Sequence, residues 1–100
     1  MASYRVSVPH TLGQSAARSR VEQFLAGVER DYAEYISDVE GQWSDNALHF
    51  GFVATGMKIN GTLVVEDQQV QVSGPLPLMA SIFRGRIEQT IRDELQKLLT

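Results

Sequence analysis

Residues 48–73 read LHFGFVATGMKINGTLVVEDQQVQVS, and the period of this stretch decides the fold. Leu48, Phe50, Phe52 and Ala54 alternate with His49, Gly51 and Val53. After Gly56, Ile59, Gly61, Leu63 and Val65 alternate with Asn60, Thr62 and Val64. After a turn around Asp67-Gln68, Val70 and Val72 alternate with Gln69, Gln71 and Ser73. A period of two is that of a β-strand, whose successive side chains point to opposite faces. Links this short require antiparallel neighbours, because a parallel connection needs a dozen or more residues. Glutamines opposite the valines of the last strand leave one face of the sheet wet.

Upstream, Asp45-Asn46 tolerates left-handed backbone and supplies a turn. Before it, from about Ile36, Val39, Gly41 and Trp43 alternate with Asp38, Glu40 and Gln42 as another strand. At the start of the chain Tyr4, Val6 and Val8 alternate with Arg5 and Ser7 and stop at Pro9, which cannot donate to a ladder. Between these strands Val21, Phe24, Leu25, Val28 and Tyr32 recur every three or four residues, which predicts a helix with one core-facing stripe. Thr11 and Gln14 have the spacing of a capping box and predict its start. Downstream, Gly74-Pro75-Leu76-Pro77 breaks the alternation, and Met79, Ile82, Phe83, Ile87, Ile91, Leu95 and Leu98 predict a long second helix. Gly85 within it costs about 1 kcal/mol relative to alanine, so a close approach to the sheet or a kink is expected there. The order is β-α-β-β-β-β-α, an α+β domain with an antiparallel sheet. Since one face is wet, both helices are expected on the other.

The chain has 100 residues, enough for one hydrophobic core, and residues 1–100 are read as a single domain. Hydrophobic residues make up 43% and charged residues 21%, a balance that supports a packed core. The net charge of -3, with both signs interspersed, offers no positive field for phosphate, so nucleic acid is excluded as a partner. The chain has no cysteine, which removes disulfides, thiolate catalysis and Cys-ligated metals. No run approaches the roughly 20 apolar residues of a membrane span, and Met1-Ala2-Ser3-Tyr4-Arg5 does not read as an export signal. A cytoplasmic protein is expected.

No constellation of reactive side chains stands out. His10 and His49 fall in different elements without an HxH, HExxH or carboxylate partner at ligand spacing. His10 reads as a loop hydrogen-bonding residue and His49 as part of the polar strand face. Asp31 with Glu34, and Glu66 with Asp67, are neighbours in sequence, but paired-carboxylate catalysis needs a cleft, and a helix end and a hairpin turn explain both pairs. Ser15, Ser19, Ser44 and Ser81 lack a GxSxG elbow or an SxxK neighbour. Gly51, Gly56 and Gly61 are spread through strands and do not form a phosphate loop. The expectation is a non-enzyme with no catalytic, cofactor-binding or metal-ligating residues.

The stretch from Leu76 to Phe83 is apolar on more sides than one helix face buries. Leu76, Leu78, Met79, Ile82 and Phe83, with Arg84 and Arg86 just beyond, are therefore the candidates for a partner surface. The competing reading places these hydrophobes at the end of the helix-sheet core.

His10-Thr11-Leu12-Gly13, Leu48-His49-Phe50, Gly61-Thr62-Leu63-Val64-Val65, Val70-Gln71-Val72, Phe83-Arg84-Gly85-Arg86-Ile87-Glu88 and Glu94-Leu95-Gln96-Lys97-Leu98-Leu99 together resemble the polyhydroxyalkanoic acid system protein family. The resemblance runs along nearly the whole chain. It departs at Met57-Lys58-Ile59-Asn60, where the link between strands is longer. What it implies is a small bacterial accessory or regulatory protein of polyhydroxyalkanoate storage, located at storage granules and partnered by the granule or a granule-associated protein. It carries no catalytic residues across. Two other readings remain open. The arrangement is similar to helix-grip folds, which would suit an acyl or hydroxyacyl ligand between helices and sheet, and a homodimer would cover the same apolar end.

Overall fold

A computed structural model describes residues 3–54 and 56–100, apart from the side chains of Glu29, Leu78 and Met79. Among the described residues, five strands form one antiparallel sheet: β1 (Ser3–Pro9), β2 (Ile36–Ser44), β3 (Ala47–Ala54), β4 (Met57–Val65) and β5 (Gln69–Pro75), in the spatial order β1-β5-β4-β3-β2. Helix α1 (Gln14–Asp31) joins the two edge strands, and α2 (Arg84–Leu99) follows a 3-10 turn at Leu78–Phe83. The β-α-β-β-β-β-α order and the α+β class are those read from the sequence.

The alternation works because one face is buried. Val6 pairs with Val72, Val72 with Leu63, Leu63 with Leu48 and Leu48 with Trp43, giving one apolar row across all five strands. Ala17 and Val21 of α1, and Leu95 and Leu99 of α2, close over this face, while β1 alternates strictly between buried and exposed residues. The adjacent row alternates bulk with glycine. Tyr4 lies opposite Gly74, and Phe50 lies opposite both Gly61 and Gly41. The missing side chains make room for the Tyr4 ring, whose hydroxyl donates to the Asn60 carbonyl at 3.0 Å, and for Leu25 of α1 above Gly41. Burial pushes the Tyr4 hydroxyl up to about 12.

Both sheet edges are managed. The Arg5 backbone N–H on β1 donates to the Glu88 carboxylate of α2 at 2.9 Å, so the helix satisfies that edge. The β2 edge is broken by a bulge between Ser37 and Glu40, with Asp38 at φ 52. A bulge of this kind bends the edge away from pairing with another chain.

Four expectations are corrected. Helix α1 does not begin with a Thr11–Gln14 capping box. Gly13, at φ 84, is the N-cap, and no side chain caps the helix locally. The Gln14 N–H instead donates to Asp67 Oδ1 at 3.3 Å and its side-chain amide to the Val65 carbonyl at 3.0 Å, so the β4–β5 turn performs the capping. The segment predicted as one long helix is divided, with Leu78–Phe83 tightened into the 3-10 turn before α2 starts. Gly85 makes no close approach, since a Cβ there would meet nothing within 4 Å. Met57-Lys58-Ile59-Asn60 is the first half of β4, paired with Gly51 to Ala54, so the longer link extends a hairpin.

Candidate functional site

Strand β5 ends at Pro75, and two prolines within three residues prevent the ladder from continuing. Leu76 then turns into the core, 7% exposed, and Ala80 follows it there. The N–H groups of Ala80 and Ser81 both donate to the Pro77 carbonyl, at 2.9 and 3.1 Å, which winds this segment tightly. With Leu76 and Ala80 facing inward, Ile82 and Phe83 face water at 79% and 53% exposure. Arg84 and Arg86 occupy the exposed first turn of α2, where Arg84 lies 3.6 Å from Glu88.

The seven surface candidates therefore separate. Leu76 is withdrawn, because it belongs to the core cluster with Tyr4, Val72 and Leu95. The side chains of Leu78 and Met79 lie outside the described residues. Ile82, Phe83, Arg84 and Arg86 form an exposed group at the end of the sheet where β1 begins and β5 finishes.

Sequence periodicity missed two other exposed aromatics, away from this group. Tyr35, in the turn between α1 and β2, is 70% exposed, and Phe24, placed on the core stripe by its spacing, is 36% exposed at the rim. Its ring centroid lies 6.4 Å from that of Tyr32, whose hydroxyl donates to Glu94 Oε2 at 3.4 Å. Desolvation, with the Glu94 and Asp31 carboxylates beside it, raises the Tyr32 hydroxyl above its ordinary range. No periodic pattern flags Tyr35. Its only sequence signal is an aromatic residue in a polar turn.

The other groups are held by the fold. His10 is buried, with Nε2 2.9 Å from the Glu66 carbonyl, and Nδ1 accepts from the Leu12 N–H at 3.2 Å. With one ring nitrogen on each side, His10 is a strut between two loops. His49 lies on the exposed strand face, 3.3 Å from Thr62 Oγ1. Asp31 pairs with Arg30, Glu66 accepts from Gln69, and Asp67 accepts from Gln14. Among the described residues no three His, Asp or Glu side chains are grouped to hold a metal, and no helix is long and apolar enough to cross a membrane. One shallow hollow lies on the wet face between Glu40, Gln42, His49, Asn60 and Thr62, and another lies beside the β4–β5 turn. Neither lies between the helices and the sheet, where an acyl chain would need to sit.

Residues 5–99 match the model of a protein family described as "Putative polyhydroxyalkanoic acid system protein". No curated protein and no solved structure matches the chain.

Proposed function

Because the chain belongs to the polyhydroxyalkanoic acid system protein family, we propose that it is a non-enzymatic accessory protein of polyhydroxyalkanoate storage, working in the cytoplasm at the granule. In this reading it contacts the granule, or a protein on it, through the end of the domain that carries Ile82 and Phe83. The observation that supports this is the exposure of those two large side chains side by side. A folded chain gains nothing from holding them in water. Covering them fully would contribute on the order of 1.5–3 kcal/mol each. Single exposed hydrophobes are ordinary, whereas two large ones held adjacent in water are the start of a contact surface.

The test is co-sedimentation of purified protein with isolated granules. Ile82→Asp together with Phe83→Asp is expected to abolish it while the melting temperature stays where it was. Undiminished co-sedimentation of this variant sinks the proposal. So does a wild-type dimer, seen by light scattering, that these substitutions convert to monomer, because the surface then belongs to a second copy.

A further inference from the structure

We infer that the exposed end docks on an anionic lipid interface, with Ile82 and Phe83 entering the apolar layer and Arg84 and Arg86 engaging its negative headgroups; this rests on the reading of that end as a contact surface. The two arginines follow the apolar pair within one turn, Arg86 at three and four residues from Phe83 and Ile82, so apolar and cationic groups share one local surface. Neither is required by the fold. Arg84 meets Glu88 only loosely at 3.6 Å, with its side chain 56% exposed, and Glu88 is already taken by the Arg5 N–H. Arg86 is exposed, and among the described residues its guanidinium forms no ion pair. Three other cations, by contrast, are tied into the fold: Arg18 stacks on Trp43 and donates to Asp45, Arg20 donates to Leu98 and Thr100, and Lys58 pairs with Glu40.

Local preferences are also broken at this spot and nowhere repaired. The first turn of α2 holds two arginines and no acid, although cations oppose the dipole there. Gly85 between them weakens the helix without any steric need. Sequences that depart from helix rules at one exposed place, without compensation inside the fold, do so at sites used for something else. A fluid partner suits this surface, because Ile82 and Phe83 project outward into water. A shallow apolar contact flanked by basic side chains is how interfacial segments bind anionic lipid.

Vesicle sedimentation with the full chain tests this, using phosphatidylcholine alone and phosphatidylcholine with about 30% phosphatidylglycerol, where each basic residue at the surface is worth about fivefold in binding. Binding to the anionic vesicles is expected, weakening with added salt, and Arg84→Gln with Arg86→Gln is expected to reduce it about 25-fold. Equal binding to neutral vesicles, or no loss in the glutamine variant, overturns the inference. Anionic vesicles left unbound, with granule co-sedimentation still dependent on Ile82 and Phe83, also overturn it and leave the contact reading standing with a protein or polyester partner. Vesicle binding that survives while granule binding ignores Ile82 and Phe83 removes the granule reading instead.

Discussion

Adding one methyl group at Gly61 and at Gly74 should have different consequences, although both glycines underlie the same Tyr4 ring. At Gly61 the new carbon would overlap the Tyr4 hydroxyl and come within 2.5 Å of Phe50 Cζ, both of them ends of side chains. At Gly74 it would overlap the backbone carbonyl of Asn60 and stand 2.9 Å from Gly61 Cα. Displacing Tyr4 forfeits its bond to Asn60, about 1 kcal/mol net, and overpacking adds about 1–3 kcal/mol. Alanine returns about 0.4–1 kcal/mol by restricting the unfolded chain. Gly61→Ala should therefore destabilise by about 2 kcal/mol. Gly74→Ala should cost about 3 kcal/mol or more, because strand β4 itself must move. Tyr4→Phe removes the hydroxyl that is the nearest obstruction at Gly61; the same hydroxyl stands 2.9 Å from the new carbon at Gly74, but there the Asn60 carbonyl and Gly61 Cα remain in the way. In that background the cost of Gly61→Ala should fall by about 1 kcal/mol, with little relief for Gly74→Ala. Urea unfolding resolves this, since about 1 kcal/mol moves the midpoint by nearly 1 M in a chain of this size. Equal rescue at both positions, or a Gly61→Ala cost below about 0.5 kcal/mol, would refute the packing of Tyr4 across the two glycines.

Three further outcomes follow from named contacts. The Tyr4 hydroxyl ionises at about 12 in the folded state and near 10 when unfolded, so its contribution is whole below pH 10 and is lost as pH rises toward 12. Urea midpoints across that window should fall less steeply for Tyr4→Phe, with Tyr32 retaining a slope of its own, and identical slopes would contradict the burial of Tyr4. Asp67→Ala should cost about 0.5–1 kcal/mol through the start of α1, whereas Thr11→Ala should change thermal stability by less than about 0.5 kcal/mol; the reverse ranking would restore the capping box. Gly85→Ala should raise stability by about 0.4–1 kcal/mol in the same assay, and a loss would mean that the helix start is more crowded than the open space around Gly85 implies.

The sheet was legible because burying one face ties register to the alternation. A one-residue slip in Leu63 to Val65 would expose the whole set, so the pattern and the pairing coincide. The start of α1 was not legible. Thr11 and Gln14 have the right spacing, but the acceptors for Gln14 come from Asp67 and Val65, about fifty residues away, and local spacing carries no information about them. The 3-10 turn was hidden for a related reason, since over six residues a period of three and one of 3.6 are not separable. The surplus of hydrophobes after Pro75 is partly exposed, at Ile82 and Phe83, and partly buried, at Leu76, and composition did not say which way each side chain turns. That is fixed by the Pro77 carbonyl, whose two bonds send Ala80 inward and leave Ile82 outside.

This division makes the surface separable from the fold, and it can be tested on adjacent turns of one segment. Leu76 is buried in the core cluster, so Leu76→Ala removes buried methyl groups and should cost about 2–5 kcal/mol, depending on how far the site collapses. Ile82 is 79% exposed, so Ile82→Ala removes little buried area and should stay within about 0.5 kcal/mol of wild type. In a domain of ordinary stability the first change takes a large share of the folding free energy and the second takes almost none. Granule binding should respond in the opposite order once temperature is chosen so that both variants are folded, with Leu76→Ala binding normally and Ile82→Ala weakened. If Ile82→Ala instead unfolds the chain, Ile82 is a core residue, and the proposed contact surface loses its main anchor.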